Sequence, residues 1–195
     1  MPLIAQERAV SYTGAVYPEH DICSGFFYKA GIAIQYHIET ERLLLRNFCM
    51  ADLESLVDYR RHPDCARYQR GQFTDRENLS SLIERSKTDD PFSEGESRLA
   101  VARRDTGEIA GDLFVSVAKE TISLGYTVSY RYHRQGFAFE LLSALLQKLR
   151  RCFPGREIVC CTDIENKASI ALLLKLGFVE EGYEKEIDSL VFCLS

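Results

Sequence analysis

One segment of the chain reads as a strand that passes through a short loop into a helix. The strand-like run 124–130 leads to the loop sequence His-Arg-Gln-Gly-Phe-Ala at 133–138, and an amphipathic stretch continues to Leu149. A small-residue turn that opens a helix directs unpaired backbone N–H groups, and the positive end of the helix dipole, at whatever lies above it. Gly136 and Ala138 would let a ligand approach the backbone closely. The segment therefore predicts a site for a phosphate or diphosphate.

A second segment further along the chain supports this interpretation. The run Glu-Ile-Val-Cys-Cys at 157–161 is typical of a buried strand, and a helix follows it. Asn166 is a favourable N-cap for that helix, and Gly177 is a favourable residue just beyond its end, directly before Phe178. The order of strand, anion-binding turn, helix, strand, capped helix and Gly-Phe is far rarer than any of its parts.

This order of motifs resembles the GNAT N-acetyltransferases, which transfer an acetyl group from acetyl-CoA to an amine. Their cofactor loop reads Gln/Arg-x-x-Gly-x-Gly/Ala, which Gly136 and Ala138 match; His133 replaces the usual Gln or Arg, and Arg134 stands where close relatives often have a small residue. The resemblance implies an α/β (α+β) fold with a mixed, mostly antiparallel central sheet. In that fold helices flank the sheet, and the sheet is splayed in the middle to admit acetyl-CoA.

Two further stretches are similar to the branch that acetylates ribosomal-protein N-termini, the Rim type. They are Thr-Glu-Arg-Leu-Leu-Leu-Arg at 40–46, like the branch's opening strand, and Leu-Gly-Tyr at 124–126, like its fourth strand. Asn166, Ser169 and Leu173 fit the branch as well. Many other GNAT enzymes carry a tyrosine at the position of Leu173 and use it to protonate the departing CoA thiolate. Here that acid is missing, and Ser169 takes the position that the branch favours.

The resemblance assigns the residues that would contact acetyl-CoA. They are Tyr126, Val128, Ser129, His133, Arg134, Gln135, Gly136, Phe137, Ala138, Asn166 and Ser169. The backbone of 126–129 would pair with the pantetheine arm, and residues 135–138 would hold the diphosphate. An N–H group near Val128 would polarise the thioester oxygen. Asn166 has two compatible interpretations, as a helix cap and as a pantetheine contact.

Two residues are the predicted catalytic groups. Ser169 would hydrogen-bond or protonate the sulfur of the cofactor, and Glu120 would be the general base, with Asp163 as a second candidate. Both carboxylates lie near strand ends that an acceptor amine could reach. The alternatives are that each is a solvated turn carboxylate and that ordered water carries the proton to bulk. Tyr126 would either line the acceptor channel or belong to the core.

The predicted function is acetyl transfer to a primary amine by direct attack in a ternary complex. The acceptor would be a small-molecule amine or a protein N-terminus. The alternative is a non-catalytic CoA-binding module with the same fold, which serves regulation or interaction. His133, Arg134 and the missing tyrosine acid motivate that alternative.

Length and composition favour one domain with an extension. The 195 residues, of which 46% are hydrophobic, suffice for one sizeable core. Residues 38–195 would form the acetyltransferase domain. Residues 1–37 show no clear period and are rich in aromatic side chains, so we expect an N-terminal extension that packs on the domain or on a partner subunit. That arrangement would permit a homodimer, and gating of the substrate site is a further option.

Several classes of function are disfavoured. A net charge of −5 argues against a nucleic-acid partner. Charged residues interrupt every apolar run well before membrane-spanning length, and no signal-peptide pattern occurs, so no membrane association and a cytoplasmic location are expected. The seven cysteines lack CxxC spacing, which indicates reduced thiols and no metal site.

Other local patterns predict the remaining elements. A first strand is expected over 38–48 and a helix over 52–61, which ends before Pro63. A capping box at 74–77 predicts a helix to about residue 87. Turn residues at 105–107 predict a hairpin of 98–103 with 108–118, and two alternating runs, 178–183 and 187–194, predict a final antiparallel pair.

Overall fold

The computed structural model describes residues 26–29, 32–69 and 71–195, with the backbone alone for 26–29 and 32–35. Most of the predicted extension therefore lies outside the described residues, together with its suggested packing and gating roles. Nine strands in the described ranges form one sheet: β1 (Phe26–Lys29), β2 (Ile32–Glu39), β3 (Leu43–Arg46), β4 (Gly95–Arg103), β5 (Ile109–Val117), β6 (Thr121–Val128), β7 (Glu157–Thr162), β8 (Val179–Glu184) and β9 (Ser189–Leu194). The α-helices are α1 (Leu53–Arg61), α2 (Pro63–Ala66), α3 (Arg76–Arg85), α4 (Phe137–Cys152) and α5 (Lys167–Lys175).

The strands follow one another across the sheet almost in chain order. Their order is β1-β2-β3-β4-β5-β6-β7-β9-β8, so β9 inserts between β7 and β8. Every neighbouring pair is antiparallel except β6 and β7, which run parallel because α4 connects them. The predicted mixed, mostly antiparallel sheet with flanking helices is confirmed.

Two apolar layers cover the two faces of the sheet. In β4 the side chains of Leu99 and Val101 pack into the layer that includes α4, whereas Ala100 and Ala102 face the layer that includes α1 and α3. This alternation follows from the two-residue period of a strand. Burial of an aliphatic side chain stabilises the fold by roughly 1.5–3 kcal/mol, so the covered faces hold the sheet against both helix layers.

The local signals at helix ends are confirmed. The Asn166 side chain accepts a hydrogen bond from Ser169 N at 3.1 Å and caps α5. Gly177 adopts the left-handed region at φ 92°, and Phe178 N donates to Leu173 O at 3.1 Å, which closes the helix end. The predicted hairpin of β4 and β5 is also confirmed, with Gly107 at φ 67° in its turn.

The prediction of one first strand over 38–48 is wrong, because the chain turns within it. Leu43 N donates to Thr40 Oγ1 at 3.0 Å, and Thr40 N donates to Leu43 O at 2.9 Å. The threonine side chain thus stabilises a tight turn between β2 and β3. β2 runs across the boundary predicted between residues 37 and 38, so the end of the predicted extension takes part in the sheet.

The capping box at 74–77 is displaced by one residue. Asp75, rather than Thr74, is the N-cap of α3, and its Oδ1 accepts a hydrogen bond from Asn78 N at 2.9 Å. Aspartate is a strong N-cap, so the cap settles on it. The predicted end of the preceding helix is confirmed, since α1 stops at Arg61 and Pro63 begins α2. No helix within the described ranges is long and apolar enough to cross a membrane.

Candidate active site

β6 and β7 part in the middle of the sheet. Their parallel pairing runs from Thr121 with Glu157 to Leu124 with Cys160, and β6 then continues to Val128 without β7. Ser129 N donates to Ala110 O on β5 at 2.8 Å, and hydrogen-bonding alternates along an antiparallel strand. The main-chain groups of Tyr126 and Val128 therefore face the opening between the parted strands.

A cleft of about 720 Å³ occupies this opening. Its size lies within the range of small-molecule sites. Its walls come from α2 and the segment after it, the end of β6, the loop before α4, and the start of α5. The lining residues are Asp64, Cys65, Arg67, Tyr68, Gln69, Tyr126, Thr127, Val128, Tyr130, Tyr132, His133, Arg134, Gly136, Phe137, Ala138, Phe139, Asn166, Ala168, Ser169 and Leu172.

The protein itself occupies the strand carbonyls at this opening. Val128 O contacts His133 Nε2 at 3.0 Å and Cys65 Sγ at 3.4 Å, and Tyr126 O accepts a hydrogen bond from Gln69 Nε2 at 3.3 Å. Burial raises the pKa of the Cys65 thiol, so this thiol keeps its proton and donates a hydrogen bond to Val128 O rather than acting as a nucleophile. On the cleft side of these residues, the N–H groups are the polar groups offered to a ligand.

The loop before α4 has the geometry of an anion site. Arg134 and Gly136 both adopt left-handed backbone conformations, at φ 61° and φ 80°. Gly136 is the N-cap of α4, and no described side chain hydrogen-bonds to this helix start. The N–H groups of the first turn and the helix dipole are thus available to an anion in the cleft.

Arg42 holds this loop in place, a role that the sequence did not indicate. Its Nη1 donates to Gln135 O at 3.0 Å, its Nε contacts Glu140 Oε2 at 2.6 Å, and its guanidinium lies 4.6 Å from the centroid of the Phe137 ring. Partial burial alone would raise the pKa of Glu140, but hydrogen bonds from Thr40 and Arg42 hold it below its ordinary value. The turn before β3 therefore fastens the loop and the first turn of α4.

The two hydroxyl groups at the parting of the strands meet directly. Tyr126 OH and Ser169 Oγ lie 2.7 Å apart, and either can be the donor. Burial raises the pKa of Tyr126, and the hydrogen bond with Ser169 offsets this only in part. The Tyr126 hydroxyl is therefore protonated throughout the physiological range.

The cleft brings together most of the residues predicted to contact acetyl-CoA. Those that line it are Tyr126, Val128, His133, Arg134, Gly136, Phe137, Ala138, Asn166 and Ser169. Two predicted residues do not line it. Ser129 is buried and its N–H bonds to β5, and Gln135 donates from its side chain to Arg131 O at 3.1 Å while its carbonyl oxygen contacts Arg42.

Neither predicted carboxylate base reaches the cleft. Glu120 is exposed in the turn that precedes β6, and the cleft lies at the other end of that strand, about 20 Å from Glu120 at the usual rise per residue. Asp163 Oδ1 accepts a hydrogen bond from Glu165 N at 2.8 Å in its own turn, and Asp163 is absent from the lining. The cleft lies at only one of the two ends of β6. The sequence pattern shows that a carboxylate is near a strand end, but it does not show which end borders the cleft.

No sequence pattern predicted that α2 and the segment after it form one wall of the cleft. Tyr68 OH donates to Glu165 O at 3.1 Å, which joins this wall to the turn before α5. The Arg67 guanidinium lies 5.2 Å from the centroid of the Tyr68 ring. α2 has four residues, too few to produce a periodic pattern, so no sequence signal could have revealed this wall.

A buried cluster anchors α1 to the sheet behind the cleft. Asp112 on β5 accepts hydrogen bonds from Tyr59 OH at 2.6 Å and from Arg60 Nη2 at 2.6 Å, and it pairs with Thr127 of β6. Burial, followed by the charge of Asp112, raises the pKa of Tyr59. The cluster fixes the position of the helix that leads into the α2 wall.

The comparison with protein families matches this geometry. A family model described as an acetyltransferase (GNAT) domain covers residues 42–179, which include the loop before α4 and the two parted strands, β6 and β7. The chain belongs to the GNAT acetyltransferase family. This membership, with relatives that are named N-acetyltransferases, supports an acetyl-CoA-dependent acetyltransferase.

Individual relatives agree with this family. The chain is 25% identical over 153 residues to "Uncharacterized N-acetyltransferase YnaD" of Bacillus subtilis (strain 168), which spans 77% of this chain and 86% of the relative. Among solved structures it is similar to "RimL- Ribosomal L7/L12 alpha-N-protein acetyltransferase", with a TM-score of 0.73 and 16% identity. The match covers 87% of this chain and 99% of the RimL chain. It is also similar to the structure of the microcin C7 self-immunity acetyltransferase MccE in complex with acetyl-CoA and AMP, with a TM-score of 0.65 and 18% identity. This match covers 79% of this chain and 92% of the MccE chain. The two structures show the shared GNAT fold.

Proposed function

We propose that this GNAT protein transfers the acetyl group of acetyl-CoA to a primary amine by direct attack in a ternary complex. The acceptor is a protein N-terminus or a small amine. The observation that carries the proposal is one cleft that combines three features: the start of α4 at Gly136, to which no described side chain hydrogen-bonds, main-chain groups of β6 at the parted strands, and a hydroxyl pair at Ser169. Each part matches one part of the donor: an anionic diphosphate, an amide-bearing arm and a thioester.

The diphosphate of acetyl-CoA fits the loop before α4. Backbone N–H groups of Phe137 and Ala138 in the first turn would donate to its oxygens, and the helix dipole favours its negative charge. Arg42 keeps this loop in shape from behind through Gln135 O. Binding then depends on backbone geometry, which explains how His133 and Arg134 can replace the usual side chains of the family loop.

The thioester would lie between the parted strands. The N–H group of Val128 faces this region and would donate to the carbonyl oxygen as negative charge develops on it. Ser169 at the start of α5 approaches from the other side and would contact the sulfur. Asn166 keeps this helix start in register because its side chain caps Ser169 N, at 3.1 Å.

The acceptor amine would enter beside the α2 wall, away from the anion loop. The net charge of −5 favours a cationic amine in solution, which must lose a proton before it attacks. The similarity to RimL supports an acceptor at a protein N-terminus, because RimL is named an α-N-protein acetyltransferase of ribosomal L7/L12. A small amine is the other member of the proposed class.

The test joins binding with turnover. Calorimetry should detect acetyl-CoA binding, and release of free thiol should follow addition of one or more primary amines from a panel of N-terminal peptides and polyamines. Gly136→Asp, which places a carboxylate at the anion site, should abolish binding while thermal unfolding shows a folded protein. Absence of binding at millimolar acetyl-CoA by folded wild-type protein would refute the proposal, and binding without turnover on any amine would favour the non-catalytic module.

We also propose that the protein forms a homodimer, because the expected N-terminal extension is rich in aromatic residues that could pack on a partner subunit. Light scattering on the full chain tests it. A dimer mass supports the proposal, and a monomer mass at micromolar concentration contradicts it.

A further inference from the structure

The described residues place no carboxylate base at the reacting end of the cleft. Asp64 is the one acidic residue among the described residues that line the cleft, and it is exposed on α2. Glu120 lies at the far end of β6, and Asp163 is absent from the lining. The attacking amine nevertheless has to lose a proton, and the departing sulfur has to gain one.

The helix that carries Ser169 offers no second acid. Leu173, one turn further along α5, is buried in the core with 1% exposure. The hydroxyl of Tyr126 instead reaches Ser169 from the opposite wall, on the strand that parts from β7. The pair therefore bridges the two walls between which the thioester would lie.

Both members of the pair can donate and accept a proton at the same time. A hydroxyl group carries one O–H donor and acceptor lone pairs, and the distance of 2.7 Å between Tyr126 OH and Ser169 Oγ is typical of a good hydrogen bond. A proton that arrives at one oxygen can thus leave from the other in a single concerted shift. Such a pair connects a base function to an acid function without a charged side chain.

We propose that Tyr126 and Ser169 form a proton relay that carries the proton of the attacking amine to the sulfur of the departing CoA. This proposal rests on the proposed acetyl transfer. The amine nitrogen bonds to the thioester carbon, the C–S bond breaks, and its electron pair goes to sulfur. The amine proton passes to Tyr126 OH, the tyrosine proton passes to Ser169 Oγ, and the serine proton passes to sulfur. Amine and thioester become amide and thiol, and both hydroxyl groups are restored.

The electrostatics of the site favour a concerted shift over stepwise ionisation. Burial raises the pKa of Tyr126 above its ordinary value, whereas a free thiol has a pKa of about 8.5. Full ionisation of the tyrosine to protonate a thiolate would therefore be uphill. A relay in which each oxygen gains one proton as it loses another avoids this intermediate charge.

The first test requires no acceptor. Calorimetry at about pH 9 compares CoA with desulfo-CoA, which lacks the sulfur, on wild-type protein and on Ser169→Ala. A hydrogen bond from the Ser169 hydroxyl to the CoA thiolate should make wild-type protein bind CoA about tenfold more tightly than desulfo-CoA. Ser169→Ala should lose this difference. Ser81→Ala, at an exposed position of α3, is the matched control and should keep it.

The second test measures turnover with the amine that the acceptor panel identifies. Tyr126→Phe and Ser169→Ala should each lower kcat by about 100-fold or more and leave the Kd of acetyl-CoA unchanged, and the double variant should be no slower than the worse single variant. Tyr183→Phe, on the exposed β8 edge, is the matched control. In mixtures of H2O and D2O, the wild-type rate should depend on deuterium content along a curve, because more than one proton moves.

The outcomes separate the relay from the proposed function. Failure of wild-type protein to bind acetyl-CoA removes both. Equal affinity of wild-type protein for CoA and desulfo-CoA, wild-type kcat in Tyr126→Phe, additive effects of the two substitutions, or a linear deuterium dependence would each overturn the relay and leave acetyl transfer standing. Loss of folding in a variant leaves the CoA comparison and the deuterium measurement on wild-type protein to decide.

Discussion

Two glycines at opposite ends of α4 separate backbone strain from ligand binding. Gly136 precedes the helix at φ 80° and lines the cleft, whereas Gly155 follows it at φ 81°, and a Cβ added to Gly155 would meet no atom of the described residues within 4 Å. The helix has 16 residues, so the two sites are about 24 Å apart. Substitution by alanine imposes the same left-handed strain at both sites.

The expected loss of stability is similar for Gly136→Ala and Gly155→Ala. A left-handed alanine costs about 1–2 kcal/mol, and its lower entropy in the unfolded chain offsets about 0.4–1 kcal/mol of this. A net loss of about 1 kcal/mol should lower the Tm of a protein of this size by about 2–4 °C. At Gly136 the new Cβ would meet Arg42 Nη2 at 3.6 Å, an ordinary contact, so no clash adds to the cost.

Binding of acetyl-CoA should distinguish the two variants. The strain in Gly136→Ala would displace residue 136 slightly from its native φ, and even a small displacement would turn the first N–H groups of α4 away from the diphosphate. Loss of one hydrogen bond to a charged group costs about 1.5–3 kcal/mol, so calorimetry should show a Kd raised at least about tenfold. Gly155→Ala should bind as the wild type does. Equal affinity of both variants would refute the assignment of the loop as the diphosphate site.

Three other perturbations address the supports of the cleft. Arg42→Ala should raise the Kd of acetyl-CoA by about tenfold in calorimetry and leave kcat at saturation nearly unchanged, because the loop loses its bond at Gln135 O. Asp112→Asn should lower the free energy of unfolding in urea by about 3–5 kcal/mol, because the buried Arg60 guanidinium keeps its charge without its partner. Burial lowers the pKa of His37 despite its hydrogen bond with Asn47, so stability should fall as pH drops below about 6.5, where the unfolded chain takes up a proton that the folded chain does not.

Each of these perturbations has a matched control. Arg76→Ala removes an exposed ion pair with Glu54 and should leave the Kd unchanged. Asp105→Asn, in an exposed pair, should cost less than about 1 kcal/mol. His37→Asn should flatten the fall of stability near pH 6. An affinity in Arg42→Ala equal to that of the control, a small effect of Asp112→Asn, or an unchanged pH slope in the histidine variant would contradict the corresponding argument.

The local chemistry of the chain determined the elements that carry the site. Asn166 and Gly177 mark the two ends of α5 because a cap bond and a left-handed glycine depend on a few neighbouring residues. The same holds for Gly136 before α4. These features involve contacts within one helical turn, so the sequence is sufficient to predict them, and the order of such features indicated the GNAT fold.

Tertiary structure alone decided which groups meet in the cleft. Arg42 contacts Glu140 from 98 positions away, and Tyr126 meets Ser169 from 43 positions away. Whether these side chains come into contact depends on the strand register and on the point at which β6 separates from β7. A local sequence pattern determines neither. Glu120 lies outside the cleft for a related reason: β6 begins directly after Glu120, and the cleft lies at the other end of this strand. The sequence thus determined the loop, the caps and the helices around the cleft, and the packing of the sheet determined which of their side chains lie within hydrogen-bond distance of one another.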